Sequence, residues 1–169
     1  MIFIYNCYGG THTSSLAAEI HLKRLPFDRK PTRDEILNAQ YFNKLGYQDM
    51  RKLIFRGVDE EGNKVYTLGR GMAKHLIPFL ENFINFIHNE CGFNEKLILS
   101  NMSPTVPPFM TAGGFLSRGL GVDFLGVPLL VSGTKQVYGS IIKIVQRTKE
   151  QAGSFEGPVC VLDNKDMQV

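Results

Sequence analysis

Three short apolar runs, at residues 2–5, 96–100 and 127–131, constrain this chain more than any other feature. Each is too short for an independent helix. Each runs into small polar residues and then into apolar positions spaced three and four apart. Such alternation predicts β-α units and a largely parallel sheet. Two further strand patterns, 52–58 and 64–68, flank the acidic turn 59–63, whose Gly62-Asn63 is a hairpin signal. The hairpin is expected at one edge. The fold expected is therefore a three-layer α/β domain: a mostly parallel sheet, helices on both faces and an antiparallel hairpin at one edge. At 169 residues the chain is one domain that needs no disulfide or metal to bury a core. Residues 1–150 form that domain, and 151–169 read as a C-terminal tail in which 159–162 can add an edge strand. The helix beginning near Ser14 should bury Leu16, Ala17 and Ile20. A second helix is expected over 31–44. A third, over 71–89, should bury Leu76, Phe79, Leu80, Phe83 and Ile87.

Composition removes several function classes. Nineteen Lys+Arg against 16 Asp+Glu leave a formal charge of +3, and no basic-aromatic interleaving points to nucleic acid. No run reaches the ~18 apolar residues of a membrane span, and no basic n-region precedes residue 2. Cys7, Cys91 and Cys160 make neither a disulfide framework nor a CxxC pair. A reduced, cytoplasmic protein is expected. His12, His21, His75 and His88 have no metal-ligand spacing, so no metal is expected and no cofactor is assigned.

Ligands of open parallel sheets bind beyond the carboxyl ends of the strands. Three segments there carry small polar residues: 7–15, 100–105 and 132–135. The first is the richest. Gly9 and Gly10 allow a tight turn with exposed amides, Thr11, Thr13 and Ser14 add hydroxyls, and a helix N-terminus follows. Together they form an anion cradle, to which Ser132, Gly133, Thr134 and Lys135 are expected to contribute from the third loop, with Lys135 or Arg118 as its cation. A side chain at Gly10 should block the cradle locally and spare the fold. The loop is not a Walker A, since no Gly-Lys pair follows Gly9-Gly10. Cys7, at a strand end facing a helix N-terminus, is placed to be a thiolate nucleophile, and His12 to bind the anion or move a proton. These two are the candidate catalytic residues. Against them stands the simpler reading of a small buried cysteine at a strand end. Asp59, Glu60 and Glu61 fit a solvated turn, Arg56 and Arg70 either a phosphate contact or, more simply, the surface, and Gly113-Gly114 with Arg118 either a second anion loop or close helix packing.

The opening loop resembles the phosphocysteine loop of phosphotransferase-system sugar IIB subunits, and it is similar to the Cys-x5-Arg loop of low-molecular-weight phosphatases except that Thr13 stands where the arginine belongs. On a larger scale, residues 5–14, 17–22 and 57–69 resemble a Gram-positive bacterial family known as domain of unknown function 3189. That resemblance implies a bacterial protein of about this size and supplies no catalytic residues. Two readings stand side by side. In one, the chain binds a phosphate-bearing small molecule or nucleotide and transfers or hydrolyses the phosphoryl group. In the other, it is a non-catalytic module using the same loop as a sensor or a fold device.

Overall fold

In the computed structural model, which describes residues 1–168, the apolar start of the chain becomes the middle of a sheet. The elements follow as β1 (Ile2–Cys7), α1 (Thr13–His21), α2 (Arg33–Asn38), the hairpin β2 (Leu53–Val58) and β3 (Lys64–Gly69), α3 (Leu76–Cys91), β4 (Leu97–Asn101), α4 (Pro108–Gly114), α5 (Asp123–Ala152) and β5 (Val159–Leu162). The strand order is β2-β3-β1-β4-β5. Only the β2–β3 pair is antiparallel, and it lies at one edge. Cys7 pairs with Gly69 and Asn6 with Asn101, so the carboxyl ends of β1, β3 and β4 are level on one rim.

Alternation along β1 divides the core. Phe3, Tyr5 and Cys7 pack with Val65 and Ile98 against α1 and α5. Ile4 packs with Leu68, Leu97 and Leu99 against α3. Helices therefore cover both faces of the sheet, which makes three layers. Leu16, Ala17 and Ile20 are buried as their spacing predicts. In α3 the line packed on the sheet is instead Ile84, which is buried, with Leu76, Ile77 and Leu80 partly buried beside it, while Phe79 and Phe83 stack on each other in solvent. That helix is apolar on several sides, so its periodicity does not fix which side packs.

The run at 127–131 is not a strand. It lies within α5, where Leu130, Thr134, Val137, Tyr138, Ile141, Ile144, Val145 and Thr148 continue one buried stripe at helical spacing. Gly133, read there as a turn residue, is a packing contact, and so is Gly126. A Cβ on Gly126 would stand 2.7 Å from the Gly113 carbonyl oxygen, and one on Gly133 would stand 3.0 Å from the Met110 side chain. They let α4 and α5 cross closely.

Arg56 and His21 tie α1 to the hairpin. Arg56 is buried, not on the surface: it donates to Ser15 Oγ at 2.7 Å, to Glu19 at 3.2 Å and to the Gln40 carbonyl. His21 Nε2 donates to Asp59 at 3.0 Å, so its Nδ1 accepts from the Tyr5 hydroxyl at 2.8 Å. Beyond α5, Asn164 is buried and donates to Ser100 Oγ and to the Asn101 carbonyl.

Candidate functional site

The chain leaves β1 at Cys7 and must reach α1, which begins at Thr13, by way of a tight turn. Gly10 makes it with φ +71°, a value that favours glycine. A Cβ on Gly10 would lie 2.7 Å from the Gly69 amide nitrogen, and one on Gly69 would lie 2.7 Å from the Gly9 carbonyl oxygen. The loop backbone is thus pressed onto the end of β3. Blocking Gly10 is for that reason not a local change.

The hydroxyls of Thr11 and Thr13 have partners within the protein. Thr11 donates to the Tyr41 carbonyl at 2.6 Å and accepts from the amides of Lys44 and Leu45, which fastens the 39–45 strap over the loop. Thr13 donates to the Met102 carbonyl. Ser14 lies 3.1 Å from Cys7 Sγ, and the Gly10 amide donates to the same sulfur at 3.2 Å. The sulfur thus accepts one backbone hydrogen bond and has a hydroxyl within reach. The amides of Gly9, Thr11, His12 and Thr13, in contrast, have no protein acceptor among the described residues. The helix N-terminus adds positive potential at the same place.

A cavity of about 570 Å³ opens over this loop. Cys7, Gly9, Thr11, His12 and Thr13 form its floor. Its walls are largely apolar, with Tyr8, Leu45, Tyr47, Met50, Val106 and Phe115. Among the described residues no carboxylate lines it. The five-residue π turn Phe115–Gly119 prolongs α4 and carries Arg118 to the wall. No protein acceptor for the Arg118 guanidinium is found among the described residues. Arg70, after β3, sits behind the loop: its amide donates to the Cys7 carbonyl, and its guanidinium donates to Asn101 at 2.9 Å and Ser103 at 2.7 Å. Its Nε is buried without an acceptor. Burial lowers the Arg70 guanidinium from its ordinary value, and the neighbouring Cys7 sulfur opposes that.

Residues 2–150 match the family described as "Protein of unknown function (DUF3189)". The chain belongs to that family. No curated protein and no solved structure matches it.

In this DUF3189 chain, Cys7 and His12 line one cavity, as do Gly9, Thr11 and Thr13; Gly10 and Ser14 lie just beneath its floor and reach the Cys7 sulfur. Ser132, Gly133, Thr134 and Lys135 do not belong to this group. They lie inside α5 and do not line the cavity, so of the two expected cations Arg118 reaches its wall and Lys135 does not. Gly113 serves helix packing, whereas Gly114 leaves room for the His12 ring. No group of three His, Cys, Asp or Glu able to hold a metal occurs among the described residues.

His12 is partly buried between the strap and the π turn. Burial pushes its imidazole down to about 4; the bond to Asn43 opposes this and the Arg118 charge adds to it. Burial likewise lowers His21, against the pull of Asp59. Both are neutral in the folded protein at pH 7. The unfolded chain takes up protons below about 6.5 while the folded one does not, so stability is full above that pH and falls toward pH 4. For His12 the loss is ~3 kcal/mol. Asp59, whose bonds from His21 and Asn63 outweigh burial and hold it at about 2, acts only below that window. Urea unfolding at pH 7.5 and 4.5 should show the drop, reduced by about half or more in His12→Gln. An identical drop in wild type and His12→Gln would remove His12 as its source.

Proposed function

We propose that this protein binds a phosphate-bearing small molecule, with the phosphate on the amides of Gly9, Thr11, His12 and Thr13 and an apolar or aromatic body along Tyr8, Tyr47 and Phe115, and that Cys7 is the nucleophile of a phosphoryl transfer to water. One observation carries the reading: acceptorless amides, a free guanidinium and a thiol that accepts from the Gly10 amide share a cavity that no carboxylate lines among the described residues. Such a site attracts an anion. In the first step sulfur bonds to phosphorus while the ester P–O bond breaks and its electron pair leaves with the alcohol oxygen. A phenol, with a pKa near 10, leaves more readily than an alkyl alcohol when no carboxylic acid is at hand to protonate it. Aryl phosphates are therefore the substrates to test first. The lining offers few side chains for the hydroxyls of a sugar.

We also place the protein in the bacterial cytoplasm. Its three cysteines are free thiols, and no described helix is long and apolar enough to cross a membrane. Neither nucleic acid nor membrane is a proposed partner.

The test is titration of labelled protein with inorganic phosphate and with p-nitrophenyl phosphate. Amide resonances of residues 9–13 should shift, and alkylation of Cys7 by iodoacetamide should slow as they do. Arg118→Ala should weaken phosphate binding by about 10- to 100-fold, the ~1.5–3 kcal/mol of a charge-assisted hydrogen bond. Unmoved amides at millimolar phosphate would overturn the reading. Shifts without any turnover of the aryl ester would favour a phosphate-sensing module.

A further inference from the structure

A chain of side chains absent from the sequence reading ends on His12. Its Nε2 lies 3.2 Å from Asn43 Oδ1. Asn43 Nδ2 donates to Ser117 Oγ at 2.7 Å, and the Ser117 hydroxyl donates to the Asp123 carboxylate. The far end fixes every direction. An ionised carboxylate only accepts, so the one proton of Ser117 points to Asp123. Ser117 Oγ must then accept from Asn43, which turns the Asn43 amide so that its oxygen faces His12. An amide oxygen only accepts, so His12 Nε2 carries the proton. Nδ1 is left as the only acceptor on the ring. The Cε1–Nδ1 edge lies over Gly114, where a Cβ would stand 3.1 Å from Cε1, and Gly114 and His12 both line the cavity.

We propose that Asp123, Ser117 and Asn43 are positioning residues that hold His12 as a neutral Nε2–H tautomer, so that Nδ1 presents a permanent hydrogen-bond acceptor to the water that completes the reaction. This role rests on the phosphoryl-transfer reading above; the tautomer itself does not. In the second step the water oxygen bonds to phosphorus, the P–S bond breaks and its electron pair returns to Cys7 as thiolate. Nδ1 accepts a hydrogen bond from that water and aims its lone pair, and the water proton leaves to solvent. The chain also explains why four residues from separate segments meet here. Asn43 comes from the strap, Ser117 from the π turn and Asp123 from the first turn of α5.

The direct test is the nitrogen spectrum of the His12 imidazole in the ligand-free protein. Wild type should show protonated Nε2 and bare Nδ1. Asp123→Ala, at an exposed position, and Ser117→Ala, a near-isosteric change, should each give a mixture of both tautomers. A wild-type proton on Nδ1, or folded variants that both retain Nε2–H alone, would overturn the proposal whether or not phosphate binds. With p-nitrophenyl phosphate, both variants should lose at least tenfold in kcat and keep their phosphate affinity within about twofold. Equal kcat in variant and wild type would remove the water-orienting role. Absence of phosphate shifts in wild type would instead count against the site reading and leave the tautomer result standing.

Discussion

Cys7→Ser is expected to remove hydrolysis of an aryl phosphate, by about 10⁴-fold or more, while phosphate still binds within about twofold of wild type. The sulfur is suited to attack because the Gly10 amide and the Ser14 hydroxyl both approach it, and because Arg70 stands behind the loop. A serine oxygen in the same place keeps both hydrogen bonds and therefore the cradle. It lacks a base to ionise it. Among the described residues no carboxylate lines the cavity, and His12, whose imidazole burial pushes down to about 4, is too weak a base to ionise an alcohol. An alcohol without a base is a poor nucleophile at neutral pH. Turnover of p-nitrophenyl phosphate and amide shifts with phosphate, measured on the same preparation, separate the two effects. Retained turnover in Cys7→Ser would assign the chemistry to another group. Lost affinity together with lost turnover would mean that the sulfur holds the cradle together.

Much of the fold was legible because the informative signals are local. β1, the hairpin and β4 are short strand-like runs, β-branched or aromatic in the first two and Leu-Ile-Leu in β4, with turn residues at their ends, and α1 carries its core at helical spacing. The error at 127–131 has a local cause too. Val-Pro-Leu-Leu-Val reads as a buried strand, and a short apolar run cannot be told from a buried helix segment without its context. The context lies in residues 134–148, which continue the same buried stripe, and in Gly113 against Gly126, a contact between separate helices. The loop at Cys7 was recognisable from its two glycines and its hydroxyls, but the distant partners of those hydroxyls were not. Hydroxyls close to a loop in sequence look like ligand donors; here Thr11 and Thr13 bond to Tyr41 and Met102, one thirty and the other eighty-nine residues away. Arg70 looked like a surface residue because nothing near it in the chain announces Asn101 and Ser103. Asn43 and Ser117 are separated by 74 positions, and no spacing rule links them. What escaped the sequence is what only packing brings together.

The glycines of the same loop differ in what they tolerate, and Gly10→Val should be the costliest single change in it. Two penalties add. The φ of +71° costs a residue with a side chain roughly 1–2 kcal/mol, and a β-branched one more. The new Cβ would also lie 2.7 Å from the Gly69 nitrogen and 2.9 Å from its Cα. Those are backbone atoms of β3, which is paired with β1, so relief requires one strand end to move against the other. Overpacking of this kind costs about 1–3 kcal/mol. The expected loss of stability is therefore about 3–5 kcal/mol, read as a fall in the urea midpoint. Gly62→Val supplies the reference, since Gly62 has φ +81° and open space around it, and it reports the backbone penalty alone. If Gly10→Val costs no more than Gly62→Val, the loop is not held against β3. The same geometry picks the right probe of the cradle. A Cβ on Gly9 meets only the Thr11 methyl, at an ordinary 3.7 Å, and Gly9 lines the cavity. Gly9→Val should therefore keep the fold and obstruct the phosphate, whereas lost binding in Gly10→Val would follow from a displaced β1 end and would say nothing about the cradle.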